Sequence, residues 1–125
     1  MKLLKNNEKI FWTKHSKRKM RQYRLSEKRV LRLLRRPYRR EEGIMPGAIA
    51  HMQITGTKKN PTEAWLMYLI LKKPKGVKII SAWRYPGRTP EGQRPIIPQD
   101  VLDGLLKEGV VKEINLLPSF RRKRR

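Results

Sequence analysis

His15 is followed three residues later by Arg18 in "KHSKR", and Arg84 and Tyr85 close an otherwise apolar stretch, "KIISAWRYP". These residue types can cut RNA without a metal. The RNA supplies its own nucleophile, the 2′-hydroxyl, so a protein need add only a base, an acid and cations for the phosphorane charge. His15 has a suitable ordinary pKa to move the proton. Arg18 lies one helical turn away and can hold the same phosphate. Arg84 adds a second cation, and Tyr85 can donate a hydrogen bond or stack on a base. Each also has a packing reading, His15 as a capping or surface histidine and Trp83 and Tyr85 as edge packing. Alternation along a strand puts Trp83 and Tyr85 on one face and Arg84 on the other. The trio meets at one point only where the strand ends or bulges.

Other chemistries find less support. His15 and His51 are the only histidines, and neither lies near clustered carboxylates in sequence, so no metal site is expected. The absence of cysteine excludes disulfides and thiolate zinc sites. No glycine-rich phosphate loop precedes a helix, since "PGRTPEGQ" has the wrong context, and no nucleophilic triad can be assembled. No cofactor is expected.

Charge is the dominant feature, with 32 Lys and Arg against 10 Asp and Glu in 125 residues, a net of +22. Self-repulsion on that scale points to a polyanionic partner. Between Lys14 and Arg40 there are 13 cations and one acid, Glu27. Lys14, Lys17, Arg21, Arg24, Lys28, Arg29, Arg32, Arg35, Arg36, Arg39 and Arg40 are therefore expected to contact nucleic-acid phosphates, and each neutralised phosphate adds salt dependence. The tail Arg121, Arg122, Lys123, Arg124 and Arg125 is expected to join them, as arginine-rich segments do when they order on RNA. RNA, messenger or ribosomal, is the expected partner, with the ribosome itself a candidate. An anionic membrane surface is a distant second. The longest apolar run, "AWLMYLIL", is too short to span a bilayer and the N-terminus lacks a signal-peptide core, so the cytoplasm is the expected compartment.

These side chains need elements to hold them. "EKIFWT" is β-prone, and "KHSKRKMRQYRL" reads as a helix with Met20 and Tyr23 inward. Ser26 caps a second helix, "EKRVLRLLRR", whose apolar stripe is Val30, Leu33 and Leu34 and which Pro37 stops. Residues 38–47 read as a connection. Strands at 48–55, 64–72 and 77–85, joined by short polar loops, should form an antiparallel meander, with 64–72 apolar enough to be covered on both faces. Residues 86–98 are rich in Pro and Gly, and "PQDVLDGLLKEG" is a short helix. "VVKEINLL" is a last strand or a packed tail. The expectation is one α+β domain over residues 1–117, two N-terminal helices on a small antiparallel meander with a C-terminal extension holding one short helix, and a basic tail at 118–125. A helix–turn–helix would make the helix pair a DNA-binding regulator, but "YRLSEKRV" lacks the small residue usual in that turn.

The order "TKHSKRKM", "LSEKRVLRLL" and "KIISAWRYP" resembles the RelE-like toxin superfamily, and within it BrnT-type toxins and a related family of small domains. The likeness covers roughly residues 8–88. It implies a ribonuclease fold, members of which cut mRNA, often on the ribosome, without metal. By position it implies that His15, Arg18 and Arg84 are active-site residues, and that an acidic antitoxin covers the basic face. The Pro-rich segment, the extra helix and the "RRKRR" tail extend past such a core, and the charge exceeds what one compact active site requires. The excess charge favours extensive RNA contact and keeps a non-catalytic ribosomal accessory protein as the alternative. The leading expectation is a RelE-like, metal-independent endoribonuclease of the toxin type, acting on mRNA or at the ribosome.

Overall fold

The computed structural model describes residues 9–109, as strand β1 (Lys9–Trp12), helices α1 (Lys14–Gln22) and α2 (Glu27–Arg35), strands β2 (Arg39–Glu42), β3 (Ile49–Gly56), β4 (Pro61–Lys72) and β5 (Lys75–Pro86), and helix α3 (Gln99–Lys107). The segment "VVKEINLL" and the basic tail lie outside the described residues. The fold is α+β, and the expected meander is β3–β4–β5, paired antiparallel throughout. Two pairings enlarge it to five strands in the order β1-β5-β4-β3-β2. β1 joins β5 in parallel, which makes the sheet mixed rather than purely antiparallel. Residues 39–42, read from the sequence as part of a connection, form edge strand β2 against β3. Its sequence, RREE, hides a strand behind four charges, a composition that edge positions tolerate.

Local chemistry explains the helices. Thr13 caps α1, its Oγ1 accepting from the Ser16 amide at 3.0 Å. The same hydroxyl donates to the Ile79 carbonyl at 2.9 Å and so ties the cap to β5. Ser26 caps α2, accepting from the Arg29 amide at 3.1 Å. Between the helices Arg24 takes a left-handed conformation, φ 58°, where glycine is usual. The turn is held from outside: Arg84 donates from Nε to the Tyr23 carbonyl at 2.8 Å and from a terminal nitrogen to that of Arg24 at 3.2 Å.

The sheet is covered on both faces. Met20, Leu25, Val30, Leu33 and Leu34 pack on Leu66, Tyr68, Val77, Ile79 and Ala82. On the other face Ile97, Val101, Leu102 and Leu105 lie over Met52, Trp65, Met67, Ile80 and Trp83. Double coverage is why β4 is apolar at successive positions from Ala64 to Tyr68. A bulge shifts the β4–β5 register between Met67 and Tyr68 and leaves Ile80 without an opposite residue. β1 ends opposite Ile79, and α1 flanks the remainder of β5.

The second layer is pinned by a buried carboxylate. Glu63 has no exposed surface and accepts from Trp65 Nε1 (2.8 Å), the Thr89 amide (2.9 Å) and hydroxyl (2.8 Å), and Arg88 Nε (3.3 Å). Arg39 completes the network. It contacts Glu63 at 3.5 Å, pairs with Glu41 at 3.0 Å and donates to the carbonyls of Thr89 and Pro90. Its guanidinium also lies 5.2 Å from the Trp65 ring centroid. Arg39 was expected among the phosphate-binding cations. It faces inward on β2 and its donors are taken by the protein, so it anchors segment 87–98 instead. Breaking a buried pair from one side costs about 3–5 kcal/mol. Glu63→Ala is therefore expected to lower the unfolding free energy measured in urea by about 3–5 kcal/mol, while Glu91→Ala, on the exposed part of segment 87–98, leaves it within about 0.5 kcal/mol.

Candidate functional site

The four residues expected to do chemistry occupy three separate places. His15, in the first turn of α1, has no exposed surface. Its Nε2 is 2.8 Å from Ser81 Oγ, and its Nδ1 is 3.9 Å from Glu108 Oε2. Its ring lies close against α3 at Gly104, where an added Cβ would fall 2.8 Å from His15 Cε1. Serine, histidine and glutamate thus follow one another in the order of a nucleophilic triad. Residue separation concealed this in the sequence, because Ser81 is 66 positions from His15. The burial of both Ser81 and His15 leaves no route for a substrate, and 3.9 Å is too long for the orienting hydrogen bond such a triad needs. The arrangement is the junction of α1, β5 and α3. Arg18 closes it at the surface as a direct ion pair with Glu108.

Arg84 clamps the opposite end of α1. About eight residues of helix separate His15 from the carbonyls it holds, roughly 12 Å along the axis. Trp83 is buried and stacks on Trp65, ring planes 9° apart with centroids at 6.1 Å. Tyr85 packs against the same cluster on the α3 side. The alternation of the trio holds as expected, and the bulge lies upstream of it, so Arg84 and Tyr85 point away from each other. The geometry does not gather His15, Arg18, Arg84 and Tyr85 around one phosphate.

The basic run behaves differently. Lys14, Lys17 and Arg21 are exposed at one-turn intervals along α1, and Lys28, Arg32 and Arg35 along α2. Each row spans about 10 Å. Arg24, Arg36 and Arg40 are exposed beside them, and Arg29 is partly exposed. A hollow of about 310 Å³ runs between the helices, lined by Lys17, Arg21, Ser26 and Glu27 over Met20 and Leu25. Lys19 is the exception in α1, because it is buried and donates to Asp100 and Gln22, both at 2.9 Å. Asp100 also accepts from Gln22 and from the Tyr23 hydroxyl, at 2.9 and 2.8 Å. Burial alone would raise its pKa, but these donors outweigh that and hold the carboxyl below its ordinary value.

Acids are sorted to the opposite layer. Of eight among the described residues, only Glu27 lies on the helix pair. Asp100, Asp103 and Glu108 are on α3, Glu91 is in segment 87–98, and Glu41, Glu42 and Glu63 bind that segment through Gly92, Arg94 and Thr89. The outer face of α1 and α2 is left almost purely cationic. Among the described residues no three His, Cys, Asp or Glu side chains are grouped to hold a metal ion, and no helix is long and apolar enough to cross a membrane. No family model, curated protein or solved structure matches the chain.

Both histidines bear on pH dependence. Burial depresses the His15 pKa, with Glu108 opposing it. His51 lies beneath α2, edge-on to Tyr68 and 3.0 Å from its hydroxyl, and burial together with the charge of Arg40 lowers its pKa to about 4. An unfolded histidine takes up its proton near pH 6.5, the folded one only near 4, so within that window protons favour the unfolded state. Stability is expected to be full above about pH 6.5 and to fall by roughly 3 kcal/mol as pH drops to about 4. Urea unfolding across this range checks it, and His51→Gln should flatten the slope.

Proposed function

We propose that the protein binds structured RNA through the outer face of α1 and α2, by phosphate contacts and without cutting the chain. The observation that carries this reading is the sorting of charge. Each of the two helices presents a row of Lys and Arg, with Glu27 the single acid on the pair, while the other described carboxylates lie on the strands, segment 87–98 and α3. Mixed signs would serve solubility as well; a one-sign face suits a polyanion. Ribosomal RNA, with its dense and folded backbone, is the substrate class that such a broad face fits best.

The sealed position of His15 supports binding over cleavage. A base that abstracts the 2′-hydroxyl proton must reach it, directly or through one water. RNA is favoured over a DNA operator by what the helices expose. Base reading uses amide side chains as well as arginine, yet Gln22 is held by Asp100 and Lys19, and the exposed rows contain only Lys and Arg.

Fluorescence anisotropy on a folded RNA hairpin, repeated over a series of salt concentrations, tests the reading. A steep fall of log K with log salt is expected, about 0.7–0.9 in slope per phosphate neutralised. Arg32→Glu with Arg35→Glu should weaken binding at least about tenfold and reduce the slope by about 2. Lys107→Glu, on α3, should change neither. The same RNA incubated in EDTA should stay full-length. Cleavage that is lost in His15→Ala would overturn the non-catalytic reading, and equal binding by all variants would overturn the interface.

A further inference from the structure

Tyr38 is the one aromatic side chain among the described residues that stands mostly in solvent, 59% exposed. Its backbone is fixed nonetheless. Pro37 precedes it, its amide donates to the Met52 carbonyl at 2.7 Å, and Gln53 holds the Arg36 carbonyl at 2.9 Å. Arg88 lies over its ring, with Cζ 5.7 Å from the centroid. That guanidinium is itself held, through Nε on the buried Glu63 carboxylate at 3.3 Å, and its terminal nitrogens make no hydrogen bond among the described residues. The ring is thus rigid, backed by a cation on one side and open to solvent, with the exposed Arg36 and Arg40 two residues away in either direction. An exposed, immobilised ring among arginines contributes little to the core.

We propose that Tyr38 and Arg88 form a stacking site for one unpaired base of the bound RNA. The base would lie on the open side of the ring, and the arginines would hold its flanking phosphates. Every base has a π-face, so such a site selects an unpaired nucleotide without selecting its identity. The site adjoins the end of α2, so a helical RNA stem lying on the cationic rows would bring a bulge or loop nucleotide to Tyr38. This deepens the RNA reading and rests on it: phosphate rows alone bind any duplex, whereas this site distinguishes interrupted duplexes from continuous ones.

The test uses three RNAs of one sequence: fully paired, with a single-nucleotide bulge, and with that nucleotide abasic. The full-length protein is expected to bind the bulged RNA about tenfold tighter than either of the others, the size of one base–aromatic stack. Tyr38→Ala should bind all three alike while keeping the wild-type salt slope, and Tyr38→Phe should keep the preference. A 2-aminopurine at the bulge should be quenched by wild type and Tyr38→Phe but not by Tyr38→Ala. Equal wild-type affinity for the bulged and abasic RNAs, or a preference that survives in Tyr38→Ala, would overturn the stacking site while leaving the phosphate interface intact. Binding of no RNA at all would overturn both readings, and a bulge preference confined to the corresponding DNA would reassign the site to DNA.

Discussion

A carboxylate with no access to water must find its donors within the protein, and Glu63 imposes that requirement near the start of β4. Five donors from three stretches of chain meet it: Arg39 from the edge strand, Trp65 from β4 itself, and Arg88 with two groups of Thr89 from the segment after β5. Each bond brings a piece of chain with it. Thr89 and Arg88 lay the Pro-rich segment across the sheet, and that segment delivers α3 to the second face. α3 in turn braces α1 through Asp100, Gly104 and Glu108. α1 is therefore held from both sides, by its apolar residues on the sheet and by the acids of α3, while α2 is held by its apolar stripe on the sheet.

The same carboxylate helps explain the charge distribution. A chain with this excess of cations gains by pairing its few acids, and here five of the eight among the described residues hold segment 87–98 or α3 in place. Lys19 and Arg39 are drawn inward as partners. The remaining helical cations have almost nothing of opposite sign on their own face, and their mutual repulsion is relieved by a polyanion more fully than by water and small ions.

What the sequence made legible follows from how local each signal is. Ser26, Pro37 and the stripe Val30, Leu33, Leu34 mark α2 within a few residues, and the apolar run 64–68 announces a strand covered twice. Alternation correctly separated Arg84 from Trp83 and Tyr85. Long-range pairings left no such trace. β2 is four charged residues whose strand character exists only against β3. In a run of 13 cations, nothing near Lys19 or Arg39 says that its carboxylate waits 81 or 24 residues away. The partner of His15 was hidden likewise, and so was its burial, which changes the imidazole from a candidate base into a wedge between α1, β5 and α3.

The parallel pairing of β1 with β5 also sets an order of assembly. Lys9–Trp12 can join the sheet only after Gly76–Ile79 exist, so among the described residues the first strand is closed by the last. On an emerging chain, the hairpins β3–β4 and β4–β5 form from neighbours in sequence, while β1 and the flank of α1 wait for a loop of 66 residues to close. Until then α1 and its part of the basic run lack the strand they flank, whereas α2 already has β3 and β4 to pack on. Order therefore reaches the basic run in two steps, first at α2 and later at α1.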